Sequence, residues 1–233
     1  MNSLILTIVI ISSLSLSITY ILTSFTFIIR MIGAINNVNA KSWNLASAVL
    51  LLNSFFIAIS LSMIAFVIDH QPNLKILSLL FFLSILVVLV GHLLMIYKFN
   101  GTTLLVKKIS NIYFNKNLIE NNSPFKLNFF NFDFISFIAW ISFLIGFIFP
   151  SILAVIFNDY RTTLFQLSFI FNSLGTFLTI IITDKKASLL SDKENPNNAD
   201  IRNIINFLSN VLFNRLIATL LVLILVLFLF LLV

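Results

Sequence analysis

Apolar residues in this chain come in long runs, without the strict alternation of a half-buried strand. The runs cover residues 4–32, 45–68, 74–97, 134–157, 164–183 and 201–233. Crossing about 30 Å of hydrocarbon takes roughly 20 helical residues, which each run supplies. In lipid every backbone N–H and C=O must pair within the structure, and runs that do not alternate apolar with polar leave helices as the solution. The pattern therefore predicts an all-α polytopic membrane protein: one transmembrane helical domain over residues 1–233, with about six spanning helices. The first run has no basic n-region and no small-residue cleavage site, so it reads as an uncleaved span and not as a signal peptide. The last run contains Arg215 and admits two readings. It is either one long tilted helix, or an interfacial stretch over 201–214 followed by a span over 216–233.

The polar connections alternate in character. Loops one, three and five are long and hold, with their flanks, 11 of the 14 basic residues. Loops two and four are tight turns over 69–73 and 158–163, which with their flanks hold only Lys75 and Arg161. The positive-inside bias places the basic loops in the cytoplasm and both termini outside. Within loop three, apolar residues at 105, 109, 112 and 113 are separated by Lys107, Lys108, Ser110, Asn111 and Asn115. This spacing predicts an amphipathic helix over 104–119 on the inner leaflet, its lysines toward anionic lipid. The Phe-rich stretch over 125–134 reads as interfacial. The alternative is a membrane-hugging connector with no part in substrate handling. Loop five contains Glu194-Asn195-Pro196-Asn197-Asn198, a turn.

Composition sharpens the class. The chain is 60% hydrophobic and 9% charged, against about 45–50% and about 25% for soluble domains. A water-soluble globule and a disordered chain are both excluded. With no cysteine, disulfides, thiolate catalysis and cysteine-based metal sites are excluded too. The 27 phenylalanines carry little weight singly, because Phe, Asn, Ile and Lys share A/T-rich codons.

Catalytic motifs are missing. There is no HExxH, GxSxG or glycine-rich phosphate loop, and the chain has five glycines in all. His70 and His92 do not stand at metal-ligand spacing. His70 reads as solvated in a tight turn, and His92 as a hydrogen-bonded interfacial histidine. Asp69 and Asp159 fall on the same predicted side, where turn-capping accounts for them. No metal, cofactor or nucleic-acid partner is expected. An intramembrane transferase or phosphatase would need a clustered Asp or His set, and the sequence offers none.

Polar residues within apolar runs carry the remaining signal, because a charge there is costly and usually faces a cavity or partner. Arg215 is the clearest case, with snorkelling to the inner headgroups as the alternative. Arg30 stands similarly at the inner end of span one. Asn203, Asn206, Asn210 and Asn214 recur at three and four residues as one polar stripe. Asn53, Gln166 and Asn172 add polar points in spans two and five, and Pro150 interrupts the backbone bonding of span four. Together these predict a helical bundle with a cationic, amide-lined inner cavity. The arginine fork of donors suits phosphate, which favours a phosphorylated lipid among membrane partners. A non-transporting membrane scaffold is a further reading.

Four blocks then resemble the Amj family, the alternative lipid II flippases of bacteria. They are Thr23-Ser24-Phe25-Thr26-Phe27-Ile28-Ile29-Arg30-Met31-Ile32-Gly33; residues 45–53; a long block from Pro150 through Tyr160-Arg161, Gln166-Leu167-Ser168, Asn172 and Gly175-Thr176 to Asp184 and on to Asp192; and Arg215-Leu216-Ile217-Ala218-Thr219-Leu220-Leu221. They follow the family order and cover about half of the chain. The resemblance implies a polytopic bacterial inner-membrane protein that moves undecaprenyl-pyrophosphate-linked disaccharide-pentapeptide outward. It assigns roles to Arg30, Arg161, Asn172, Gly175, Asp184 and Arg215. On this expectation Arg30 and Arg215 hold the pyrophosphate near the inner leaflet and Arg161 attracts it at the outer face. The amides of Asn172, Asn206 and Asn210 meet sugar or peptide. Ala34-Ile35-Asn36-Asn37 stands where the family is basic, and Lys185 where it has proline. Another polyprenyl-phosphate lipid therefore stays open as the cargo. No ATP-binding motif is present, so a gradient, the membrane potential or product consumption must drive the movement.

Overall fold

The computed structural model describes residues 3–35, 39–70, 73–97, 133–191 and 198–232. Among them the chain is almost entirely helical: α1 (Ser3–Ile35), α2 (Asn39–His70), α3 (Leu74–Tyr97), α4 (Phe134–Ile156), α5 (Arg161–Leu178), α6 (Lys185–Ser191) and α7 (Asn198–Leu232). A 3-10 turn, Asn158–Tyr160, links α4 to α5, and a π turn, Thr179–Asp184, links α5 to α6. Among the described residues six helical units are long and apolar enough to cross a membrane, one of them, Asn158–Leu190, built from the 3-10 turn, α5, the π turn and most of α6. The chain is a multi-pass α-helical membrane protein.

The helices outrun the apolar runs that announce them. Helix α2 begins at Asn39, and the fifth unit continues beyond residue 183 through Asp184 into α6. Backbone hydrogen bonding does not stop where hydropathy falls; it stops at caps. Asp133 shows one such cap, its carboxylate accepting from the Ile135 and Ser136 N–H groups at 3.2 and 3.5 Å at the start of α4. Of the two readings of the last run, the single helix is the observed one, with Arg215 the eighteenth of its 35 residues. At 1.5 Å per residue that helix is about 52 Å long, well beyond the hydrocarbon thickness. The amphipathic helix expected over 104–119, the interfacial stretch up to 132 and the turn at 194–197 lie outside the described residues.

One end of the bundle gathers the starts or ends that lead to the three basic loops; the other carries the two tight turns. Helix α1 is central, packing on α2, α3 and α7. Small hydroxyl residues allow the close approach to α3: the Ser13 and Ser17 hydroxyls, shared with the carbonyl four residues back, also reach the Leu80 and Ser84 carbonyls, each at 3.0 Å. Glycine does the same between α4 and α5. A Cβ on Gly175 would lie 2.9 Å from the Phe143 backbone nitrogen.

The interior divides into two apolar clusters. Toward the turn end, Leu16, Tyr20, Phe81, Val88, Leu144 and Val222 pack together. Toward the basic end, Ile28, Ile32, Met95, Leu208 and Leu212 do so. Ser24, His92 and Arg215 fall between the clusters along α1, α3 and α7, forming a polar layer sandwiched by hydrocarbon. Helix α5 packs on α4, while no packed interface joins it to α2 among the described residues. The gap between α2 and α5 is a cleft floored by α4.

Candidate functional site

The polar layer is built around Arg215. Its side chain is 4% exposed, so it does not snorkel to headgroups but stays within the bundle. Nη1 donates to Ser24 Oγ at 3.0 Å and toward the Thr23 carbonyl at 3.4 Å. The guanidinium lies 4.4 Å from the centroid of Trp140 and 5.5 Å from that of Phe27, cation–π contacts that replace part of the lost hydration. Trp140 is fixed in turn, its Nε1 donating to Thr219 Oγ1 at 3.1 Å while Thr219 donates to the Arg215 carbonyl.

Behind Ser24 stands His92, fully buried, where the sequence reading placed it at the interface. Its Nδ1 is 3.0 Å from the Val88 carbonyl and its Nε2 is 2.8 Å from Ser24 Oγ. A carbonyl only accepts, so Nδ1 carries the hydrogen. Nε2 then accepts from the Ser24 hydroxyl, whose lone pair accepts from Arg215. Of the two neutral tautomers, only the Nδ1–H form satisfies all three bonds.

Arg215 opens on a cavity of about 330 Å³. Thr23, Thr26 and Phe27 of α1, Asn53 of α2, Trp140 and Phe143 of α4, and Thr176 and Thr179 line it, with Arg30 and Asp184 at its basic end. The π turn accommodates an extra residue and rotates the side chains beyond it, which brings Asp184 to face α1. Arg30 Nη1 meets Asp184 Oδ2 at 3.0 Å, and the Arg30 guanidinium rests 4.1 Å from the Trp43 ring centroid. Arg30 is therefore already neutralised, whereas Arg215 is in no salt bridge among the described residues. The charged lining residues sum to one positive charge. Asn53 donates to Thr23 Oγ1 at 3.2 Å and leaves its buried Oδ1 unpartnered.

A second hollow of about 410 Å³ adjoins the first along the α2–α5 cleft. The two share Ile57, Phe143, Thr176 and Ile180 in their walls. The second is neutral, lined by Ser168, Asn172 and Ser173 among phenylalanines, and the buried Ser168 Oγ and Asn172 Oδ1 have no partner. Gly146 makes room for Asn172: a Cβ there would lie 2.5 Å from its Oδ1. Pro150, inside α4, offers no N–H to the Gly146 carbonyl one turn before it.

The structure thus gathers Arg30, Asp184 and Arg215 at one cavity and Asn172 at its neighbour. It sets the other expected residues elsewhere. Arg161 stands at the turn end, where Nη1 meets Asp69 Oδ1 at 3.1 Å and Nη2 donates to Asn158. Asn206 and Asn210 line neither hollow. One residue advances a helix by about 100°, so Arg215 faces away from the stripe that ends at Asn214. It shares instead the face of Leu208, Leu212 and Val222. Asn214 is fully buried with both amide atoms unpartnered. His70 is exposed at the turn end, stacked on Phe66. Ser24, Trp140 and Thr219 carry no signal in sequence, since hydroxyls and aromatics are common in every span.

Among the described residues no three His, Asp or Glu side chains gather as a metal set. The arrangement offers a fixed cation, hydroxyl and amide donors, and a cleft bounded by exposed apolar helices, which can accept an anionic head on an apolar tail. Comparison with protein families, curated proteins and solved structures finds no match to this chain.

Proposed function

We propose that the chain is a transporter, not an enzyme, which binds the phosphate end of a polyprenyl-linked lipid at Arg215 and passes it between leaflets. The resemblance to the Amj family names lipid II as the cargo and the bacterial inner membrane as the site, moving headgroups from the inner to the outer leaflet. The observation that carries the reading is Arg215, a buried arginine with no carboxylate partner among the described residues, opening on a cavity of net charge plus one. Arginine at a span centre costs about 2.5–3.5 kcal/mol on insertion scales. A site that must receive an anion gives that cost a purpose, because phosphate supplies the missing charge.

The dimensions support a division of labour. Ligand pockets begin at about 300 Å³, so the cationic cavity fits a phosphate or pyrophosphate and not a whole disaccharide-pentapeptide. The neutral hollow beside it presents hydroxyls and an amide for sugar or peptide, and the α2–α5 cleft gives the polyprenyl chain a route to lipid. Larger headgroups require α5, which packs mainly on α4 and meets α2 through the Arg161–Asp69 pair at the turn end, to move. Eleven of 14 basic residues on the alternate loops orient the basic end toward the cytoplasm and both termini outward.

A leaflet-specific accessibility assay in cells that depend on this protein tests the reading. Wild type exposes lipid II to an external probe, and Arg215→Gln traps it inside. Lipid II that stays inside with wild type while another polyprenyl-phosphate lipid moves would reassign the cargo. The basic residues replaced by Ala34-Ile35-Asn36-Asn37 give that second reading its footing. Full function of Arg215→Gln would leave a scaffold role.

A further inference from the structure

We infer that His92 is a proton site linked to the anion cavity through Ser24, so that the protein takes up a proton when its anion binds. The inference rests on the anion-site reading of Arg215 and goes beyond it. It begins with three atoms in line: Arg215 Nη1, Ser24 Oγ at 3.0 Å from it, and His92 Nε2 at 2.8 Å from that oxygen. Arg215 reaches the cavity; Ser24 and His92 are sealed behind it.

With no anion against Arg215, a second proton on His92 would meet the arginine's charge across Ser24. With Nδ1–H fixed on the Val88 carbonyl, an added proton can enter only at Nε2, which would then donate to Ser24. The serine oxygen would accept from two cations at once, inside a layer bounded by apolar clusters on both sides. Coulomb repulsion at such range is weakly screened. The Ser24 hydroxyl has somewhere to turn, however: Ser13 and Ser17 of the same helix donate to the carbonyl four residues back, and Tyr20 offers Ser24 the same acceptor. An anion against Arg215 removes the repulsion. His92 then gains one N–H bond at Nε2, with the proton drawn from solvent, and no other bond is made or broken.

Among the described residues the surroundings hold no competing site. Helix α7 presents Arg215, α1 presents Ser24 and, one turn back, Tyr20, and α4 presents the edge-on Trp140 ring at 5.6 Å. Helix α2 meets α3 weakly, and the Asp69 and His70 at its turn end lie on the far side of the first apolar cluster. Arg30 and Asp184, across the cavity, neutralise each other.

Farnesyl sulfate is a suitable probe, because its charge is constant between about pH 5 and about pH 8, where histidine titrates. Binding to the purified full chain in detergent is measured by calorimetry in two buffers of different ionisation enthalpy. Wild type is expected to bind with uptake of up to one proton, its affinity rising by up to about tenfold per pH unit of acidification. His92→Gln, which keeps a neutral partner for Ser24, is expected to bind with no uptake and a change below about twofold over the same range. Equal proton uptake in wild type and His92→Gln, or none in either while binding still requires Arg215, overturns the proton site and leaves the anion site intact. Binding that ignores Arg215→Gln overturns both. Should His92→Gln not fold, His70→Gln leaves His92 as the sole histidine. Nitrogen NMR of that ring must then move from the Nδ1–H form to the doubly protonated form on adding the probe; an unchanged ring overturns the inference.

Discussion

Arg215 Nη1 lies 3.0 Å from Ser24 Oγ, in the middle of a bundle where no carboxylate pairs with it among the described residues. The serine holds the guanidinium against Trp140 and leaves its charge unspent. Arg215→Gln should lower lipid transport by about tenfold or more, the scale of a lost charge-assisted hydrogen bond. Arg215→Lys should fall between, because ammonium keeps the charge but not the planar fork or the stacked face. The external-probe assay reads both, at matched protein levels.

Arg30 and Asp184 shield each other within the cavity, so either one alone becomes an uncompensated charge. Arg30→Gln and Asp184→Asn should each lower the melting temperature in detergent. The double substitution should recover most of the loss, with a coupling on the order of 1–3 kcal/mol. Simple addition of the two losses would mean the pair does not hold α1 to the π turn.

Gly175 and Gly91 have neighbours of different stiffness. A Cβ at Gly175 meets the Phe143 backbone at 2.9 Å, whereas one at Gly91 meets the flexible tip of Ile21 at 2.9 Å. Gly175→Ala should cost roughly 1–3 kcal/mol as α4 and α5 are forced apart. Gly91→Ala should cost less than about 1 kcal/mol, because a rotamer change absorbs it. Thermal unfolding of the two variants in one detergent checks the order.

Arg161 is committed to Asp69 and Asn158 at the turn end. An exposed pair of this kind contributes about 0–1 kcal/mol. Arg161→Ala should therefore leave stability nearly unchanged, and the Asp69→Arg/Arg161→Asp exchange should retain transport. Loss of transport in the exchange, with stability kept, would show that the arginine itself meets the headgroup.

The absence of cysteine makes orientation directly measurable. With Asp159→Cys or Lys116→Cys as the sole thiol, an impermeant maleimide applied to whole cells should label the first and spare the second. The opposite result would invert the bundle.

The spans were legible because hydrocarbon imposes a rule that each segment meets by itself: enough apolar residues to cross, with the backbone paired internally. Arg30, Asp184 and Arg215 were legible as awkward charges. The asparagine stripe was legible as a stripe, yet Asn206 and Asn210 line neither hollow. Its repeat marks one face of α7, and Arg215 stands a single residue beyond it, on the face turned to the core. His92 shows the same limit, since its distance from the end of a run says nothing of which neighbours cover it.

The sequence by itself determined that this chain crosses a membrane about six times, where its charges interrupt those crossings, and which loops are basic. These are properties of one segment at a time, set by transfer from water to lipid. Only the tertiary structure decided which charges meet. It paired Arg30 with Asp184, set Arg161 on Asp69 at the opposite end, and left Arg215 to a serine and an indole face. Those choices depend on helix rotation and depth, to which the apolar runs are indifferent because lipid rewards every face alike.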